Sequence, residues 1–292
     1  MRGVGQRLRW LSARRLIGLA ALTVLAELAS GRGANAQPAK KKSYASVELI
    51  AQEAAQAGRI RVGLLFHMDP GWHIYWENPG DSGTAPTINW SVPAGFRVGA
   101  IRWPQPVRLG GGSVIDYGYE KQVLLMAPLE RASAQREPVR VSLAADVKYV
   151  VCQQICVPGK AHVTLSLPAG GRASADASRW NAIFERTLAN LPKAAPATWK
   201  ISATSVTVDR QRHFLISVET GSRVGSAAFF PLDPDVVENS ARQAFGTTSK
   251  GFQLTLQPSD LLSKPISTLR GLIVLGPQKA YEVDAPMAVV AR

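Results

Sequence analysis

Between Ser46 and Leu167 apolar residues recur at every second position in short runs, and Gly, Pro, Asn and Asp break the chain between the runs. Ile60, Val62, Leu64 and Phe66 form one such run, Val147, Tyr149 and Val151 another, and Val163, Leu165 and Leu167 a third. A period of two places alternate side chains on one face of an extended strand, so each run reads as a strand with one face against a core. Many short strands with almost no helical period predict an all-β, immunoglobulin-like antiparallel sandwich over residues 46–168, with a closed barrel as the alternative. The last two runs flank a tight corner, which predicts a hairpin there, with Pro158-Gly159 read as a turn signal.

The period then changes. Trp180, Ile183, Phe184, Leu188 and Leu191 fall three or four apart, Ser174 or Asp176 is available as a cap, and Pro192 terminates the pattern. Residues 169–196 therefore read as a linker carrying one amphipathic helix, its apolar face packed between modules or under the first. Strand-like runs resume at Ile201–Val208, Phe214–Val218, Phe252–Leu256 and Leu272–Leu275, which predicts a second β-sandwich over residues 197–292.

The amino terminus reads differently from both modules. Five arginines precede an apolar stretch from Leu16 to about Ala29, and Ala34-Asn35-Ala36 supplies the small-x-small pattern of a cleavage site. Residues 1–36 are expected to be a secretory signal and 37–45 a flexible basic leader, so that the mature protein is exported and soluble. Loss of the signal lowers the formal net charge from +13 to +8, and Lys40–Lys42 in the leader supply three of the remaining positive charges. A solvated tail explains that cluster, and nucleic acid is not expected as a partner.

Cys152 and Cys156 are the only cysteines. In an oxidising compartment two thiols this close pair, provided that the backbone brings their α-carbons within about 7 Å. Closing so small a ring is worth only about 2 kcal/mol by loop entropy, so stability explains the pair poorly. Three chemistries stay open: reversible thiol–disulfide exchange, a structural staple, and half of a metal site. No His accompanies the pair in sequence to complete a zinc set, and no cofactor or metal is expected.

Gly71-Trp72-His73-Ile74-Tyr75-Trp76-Glu77-Asn78-Pro79-Gly80-Asp81-Ser82-Gly83, then Ile101-Arg102-Trp103-Pro104, then Asp116-Tyr117-Gly118-Tyr119-Glu120, and then the cysteine corner with Pro158, occur in that order. As a set they resemble the periplasmic amino-terminal domain of the thiol:disulfide interchange protein DsbD family and its suppressor-of-copper-sensitivity relatives. The resemblance implies an immunoglobulin-like periplasmic domain that takes electrons from a membrane-embedded reductase and passes them to thioredoxin-like proteins. It implies Cys156 as the exchanging thiol and Cys152 as the resolving one. It also implies a cap loop over the pair, which places Ile115, Asp116, Tyr117, Gly118 and Tyr119 in that loop with the Tyr117 ring above the sulfurs. Three residues separate the cysteines here, against five in the best-known members. The sequence also ends without the family's transmembrane and thioredoxin-like domains, so the electron donor is expected to be a separate membrane protein. The alternative is a non-enzymatic immunoglobulin-like adaptor, or a copper-stress binding protein, with a structural disulfide.

Gly80-Asp81-Ser82-Gly83 echoes a serine-protease nucleophile segment, but too little chain precedes it to supply the base, and its residues read as a turn. His67, Met68 and His73 are residue types that suit copper, but a strand end with exposed polar tips is the preferred account of them. Tyr75, Trp76, Trp90 and Trp103 read as core or sandwich-edge packing rather than a docking face, and Asp116 and Glu120 as groups that act on the thiols only if the cap lies over them.

Overall fold

A computed structural model describes residues 42–53, 60–131, 140–168, 178–276 and 279–288. The expected signal segment, most of the basic leader and both helix-cap candidates, Ser174 and Asp176, lie outside these residues. The last leader residues already belong to the fold: the Tyr44 ring stacks on Trp72 with centroids 3.7 Å apart, and Ala45 opens the first strand.

The first module contains β1 (Ala45–Glu53), β2 (Ile60–Met68), β3 (His73–Gly80), β4 (Thr87–Ser91), β5 (Phe96–Val98), β6 (Val107–Gly111), β7 (Val114–Glu120), β8 (Gln122–Arg131), β9 (Arg140–Cys152) and β10 (Cys156–Pro168). One sheet runs β1-β2-β8-β5, the other β10-β9-β3-β7-β6 with β4 also paired to β9. Their pairings are antiparallel, and the fold is all-β and immunoglobulin-like. Val62, Leu64 and Phe66 of β2 face Val141, Leu143, Val147, Tyr149 and Val151 of β9 in one core, as their alternation requires.

β2 is buried on its other face as well, because the helix α1 (Ser178–Ala189) lies there. Phe184 is fully buried among Ile50, Leu65, Leu124 and Met126, with Trp180, Ile183 and Leu188 around it. The helix therefore covers the outer face of the β1-β2-β8 sheet rather than sitting between modules. It ends where the Asn190 N–H reaches the Arg186 and Thr187 carbonyls, just before Pro192.

The second module contains β11 (Lys193–Ala194), β12 (Lys200–Val208), β13 (Gln211–Glu219), β14 (Ala227–Pro231), β15 (Ala244–Thr247), β16 (Gly251–Leu256), β17 (Thr268–Leu275) and β18 (Lys279–Pro286). These form two sheets, β11-β18-β17-β14 and β12-β13-β16-β15. The β17 run Gly271-Leu272-Ile273-Val274 is buried at every position, because its sheet is covered on both faces. Ile273 and Leu269 belong to the second core. Leu272, Val274 and Ala280 belong to the first, with Phe230 and Leu232 packed against it. The two sandwiches thus interlock through one sheet.

Candidate functional site

Strands β9 and β10 pair in an unbroken register from Arg140↔Pro168 to Cys152↔Cys156, and only Gln153, Gln154 and Ile155 turn the corner. The Gln153 N–H closes that corner on the Ile155 carbonyl at 3.1 Å. Opposed positions of an antiparallel pair bring side chains together, so the two cysteines meet by register: their Cα atoms are 4.2 Å apart and the sulfurs are bonded. The pair is asymmetric. Cys152 is 2% exposed and sits beside His73 of β3, whereas Cys156 is exposed and follows Ile155, itself 62% exposed at the tip.

Pro158-Gly159, expected as a turn, lies inside β10. Proline is tolerated on this edge strand, and Gly159 leaves room for the opposing Tyr149 ring, whose atoms a Cβ would approach to 2.4 Å.

The ring beside the exposed sulfur is Tyr75. Its hydroxyl lies 3.7 Å from Cys156 Sγ and 3.2 Å from Ser82 Oγ. The Ser82 hydroxyl donates to Asp116 Oδ2 and the Ser82 N–H to Asp116 Oδ1, both at 2.9 Å. His73 Nε2 stands 3.7 Å from Asp116 Oδ2, within ion-pair reach but beyond hydrogen-bond length. Because Ser82 donates to the carboxylate, it accepts from Tyr75, which leaves the Tyr75 oxygen open toward the sulfur. A chain of oriented hydroxyls therefore leads from Cys156 to a carboxylate. Burial alone raises the Asp116 carboxyl, but His73 and the two Ser82 bonds outweigh it and hold the group below its usual value. Burial raises the Tyr75 phenol, with the Ser82 bond opposing and the Asp116 charge adding to the shift. At neutral pH the chain ends in an anion and Tyr75 keeps its proton.

As it stands Tyr75 can accept a hydrogen bond from a Cys156 thiol; toward the thiolate its one proton turns from Ser82 to the sulfur, because the charge-assisted bond is the stronger. Tyr75→Phe keeps the ring and removes the bond. It is expected to raise the Cys156 thiol pKa by about one unit and slow its alkylation about tenfold at neutral pH. Iodoacetamide labelling of the reduced protein across pH measures this, and an unchanged profile would remove Tyr75 from the chemistry.

The expected cap loop requires correction. Ile115, Asp116, Tyr117, Gly118 and Tyr119 form the middle of β7, buried throughout. Tyr117 packs edge-on to Trp76 and against Phe230, and its hydroxyl donates to Asn239 Oδ1 at 3.0 Å. The Tyr119 hydroxyl donates to the Pro104 carbonyl. The second module covers this strand at Tyr117, whose ring serves the module interface rather than the sulfurs. Of the segment, Asp116 alone joins the relay, while Glu120 is an exposed strand end. The segment beside Tyr75 is instead residues 81–83: Gly83, at φ +63°, would bring a Cβ within 2.1 Å of the Tyr75 ring. Ser82 is a bend residue, as its motif suggested, but its partners are Tyr75 and Asp116, and no His base stands on its hydroxyl.

His67, Met68 and His73 do not converge. Met68 is buried in the core, while His67 is exposed and contacts Gln122, and adjacent strand positions face opposite ways. A concavity of about 540 Å³ opens between the sandwiches beside Trp76, Trp103, Glu77 and Glu282. Burial, with the neighbouring Glu282 charge, raises the Glu77 carboxyl to about 6. No helix among the described residues is long and apolar enough to cross a membrane.

Residues 46–168 match the family model described as the thiol:disulfide interchange protein DsbD, N-terminal. The chain also superposes on the crystal structure of the N-terminal periplasmic domain of ScsB from Proteus mirabilis, with a TM-score of 0.59 and 18% identity over 84% of this chain and 92% of that one. That likeness spans both modules and concerns the fold. No curated protein matches the chain in sequence.

Proposed function

We propose that this chain, with its DsbD amino-terminal family match over residues 46–168, is a periplasmic thiol–disulfide exchange protein. It passes electrons between a membrane-embedded reductase and thioredoxin-like proteins through Cys152 and Cys156. The observation that carries this reading is the asymmetry of the pair: one sulfur exposed at a hairpin tip beside a relayed hydroxyl, its partner buried.

In the loading step a thiolate of the reductase attacks Cys156 Sγ. The Cys152–Cys156 bond breaks, a mixed disulfide forms at Cys156, and Cys152 leaves as a thiolate that takes up a proton. The donor's second thiolate then attacks its own bridged sulfur and releases Cys156, so two electrons have entered the pair and the donor is oxidised. In the unloading step the Cys156 thiolate attacks the acceptor's disulfide, and Cys152, losing its proton, resolves the adduct. When the Cys156 thiolate is released Tyr75 turns its proton from Ser82 to the sulfur and stabilises it, while in the disulfide state Asp116, through Ser82, holds the Tyr75 oxygen toward the sulfur.

Mixing the oxidised protein with a reduced thioredoxin-like protein and counting alkylated thiols by mass tests this. Two thiols per chain should appear, with a reduction potential less negative than about −300 mV. A more negative potential together with no transfer would identify the disulfide as a staple and sink the proposal.

A further inference from the structure

The segment beside Tyr75 is held from two directions. Asp81 Oδ2 accepts the Ile115 N–H at 2.7 Å, a bond within the first module. Asp81 Oδ1 accepts Asn239 Nδ2, also at 2.7 Å, from 158 residues away in the second module. Asn239 is engaged further: its Oδ1 accepts the Tyr117 hydroxyl and its backbone carbonyl accepts the Arg108 guanidinium. The strap that carries it is itself tied down. The Glu238 N–H donates to the Gln257 carbonyl at 2.9 Å and the Ser259 N–H to the Val236 carbonyl at 3.1 Å. Val236 and Val237 are buried in the second core. A further bolt lies close by, where Asn78 Nδ2 donates to the Pro231 carbonyl at 2.8 Å while its Oδ1 accepts the Gly80 N–H.

We infer that the second module is a clamp on the exchange site, with Asn239 as the positioning residue that fixes the 81–83 segment and so holds the Tyr75 hydroxyl beside Cys156 Sγ, where it limits the approach of an attacking thiolate. This rests on the exchange reading above and assigns the second module its part in it. Surface segments open locally in proportion to the bonds that hold them. Asp81 precedes Ser82, which orients Tyr75, and Gly83, which packs on the Tyr75 ring. Loss of the Asn239 bond leaves the run held within the first module alone, by Ile115 and Asp116, and so loosens Tyr75 at the sulfur. One hydrogen bond to a charged acceptor, removed, raises the open population about fivefold or more.

The test measures reduction of the oxidised protein by dithiothreitol, a small dithiol that needs no docking surface, alongside thermal melting. Asn239→Asp sets two carboxylates against each other and should accelerate reduction about fivefold with little change in melting. Asn239→Ser, which adds no charge, should do the same and keeps the test open if the first variant unfolds. The swapped pair Asp81→Asn with Asn239→Asp should return the rate to wild type. The amide then at position 81 donates to the carboxylate at 239, which still accepts the Tyr117 hydroxyl. A general loss of stability would not be repaired by exchanging donor and acceptor. Wild-type rates in both single variants, or acceleration that the swap does not reverse, would overturn the clamp while leaving exchange itself intact. Faster reduction of the variants beside a wild type that transfers nothing to protein partners would sink the exchange reading and keep the clamp.

Discussion

Cys156→Ser is expected to abolish exchange, whereas Cys152→Ser should still attack a partner and then stall as a mixed disulfide. The difference follows from access. A thiolate attacks along the line of the bond that it breaks, so the sulfur it strikes must be open to solvent. Only Cys156 is open; Cys152, 2% exposed, is closed in by β3 and the hairpin. With Cys156 gone the remaining thiol has no incoming partner, and transfer should fall to background. With Cys152 gone nothing resolves the adduct, and it should accumulate as a heavier species on a non-reducing gel. Both variants should remain folded, because the short ring contributes only about 2 kcal/mol through the unfolded chain. Equal activity in Cys156→Ser and wild type, or no adduct with Cys152→Ser, would assign the chemistry elsewhere.

Phe184→Ala is expected to cost about 3–5 kcal/mol, a large part of the stability of a domain this size. The ring is fully buried between α1 and the outer face of β1, β2 and β8, packed on Ile50, Leu65, Leu124 and Met126. Truncation leaves a cavity that the sheet and the helix cannot collapse. Urea denaturation reads the loss directly. Exchange by the remaining folded molecules should be unchanged, since the helix packs on the sheet opposite the one that carries the cysteines. A loss below 1 kcal/mol would mean that the helix is not the sheet's cover.

How much of this was legible in the sequence depended on whether the physics was local. The β9–β10 hairpin was readable because Val147, Tyr149 and Val151 alternate up to Cys152, and register alone then sets Cys156 opposite it. The helix was readable from its period, down to the residues that meet the sheet. The cap was not. Asp116-Tyr117-Gly118-Tyr119 carries turn-like and aromatic residues and reads as an exposed loop, yet it is buried because Phe230 and Asn239, more than a hundred residues away, lie over it. Tyr75 was assigned to packing, and its hydroxyl's partner, Cys156, is 81 residues distant. Asp81-Ser82-Gly83 was read correctly as a bend, but no local pattern says that a bend will orient a tyrosine. The one available clue was the unbroken apolar run in β17, which marks a sheet covered on both faces and hence a second module that is not a separate body.

The interlocked sheet bears on how the protein can be divided. Residues 46–168 are the span of the family match, but Leu272, Val274 and Ala280 complete that module's interior from outside the span. A fragment cut at those limits would keep both cysteines and bare the apolar surface that these three residues now fill, inviting self-association. A boundary of ancestry is not a boundary of folding here, and an expression plan that respects only the former would put a sticky wound beside a reactive thiol.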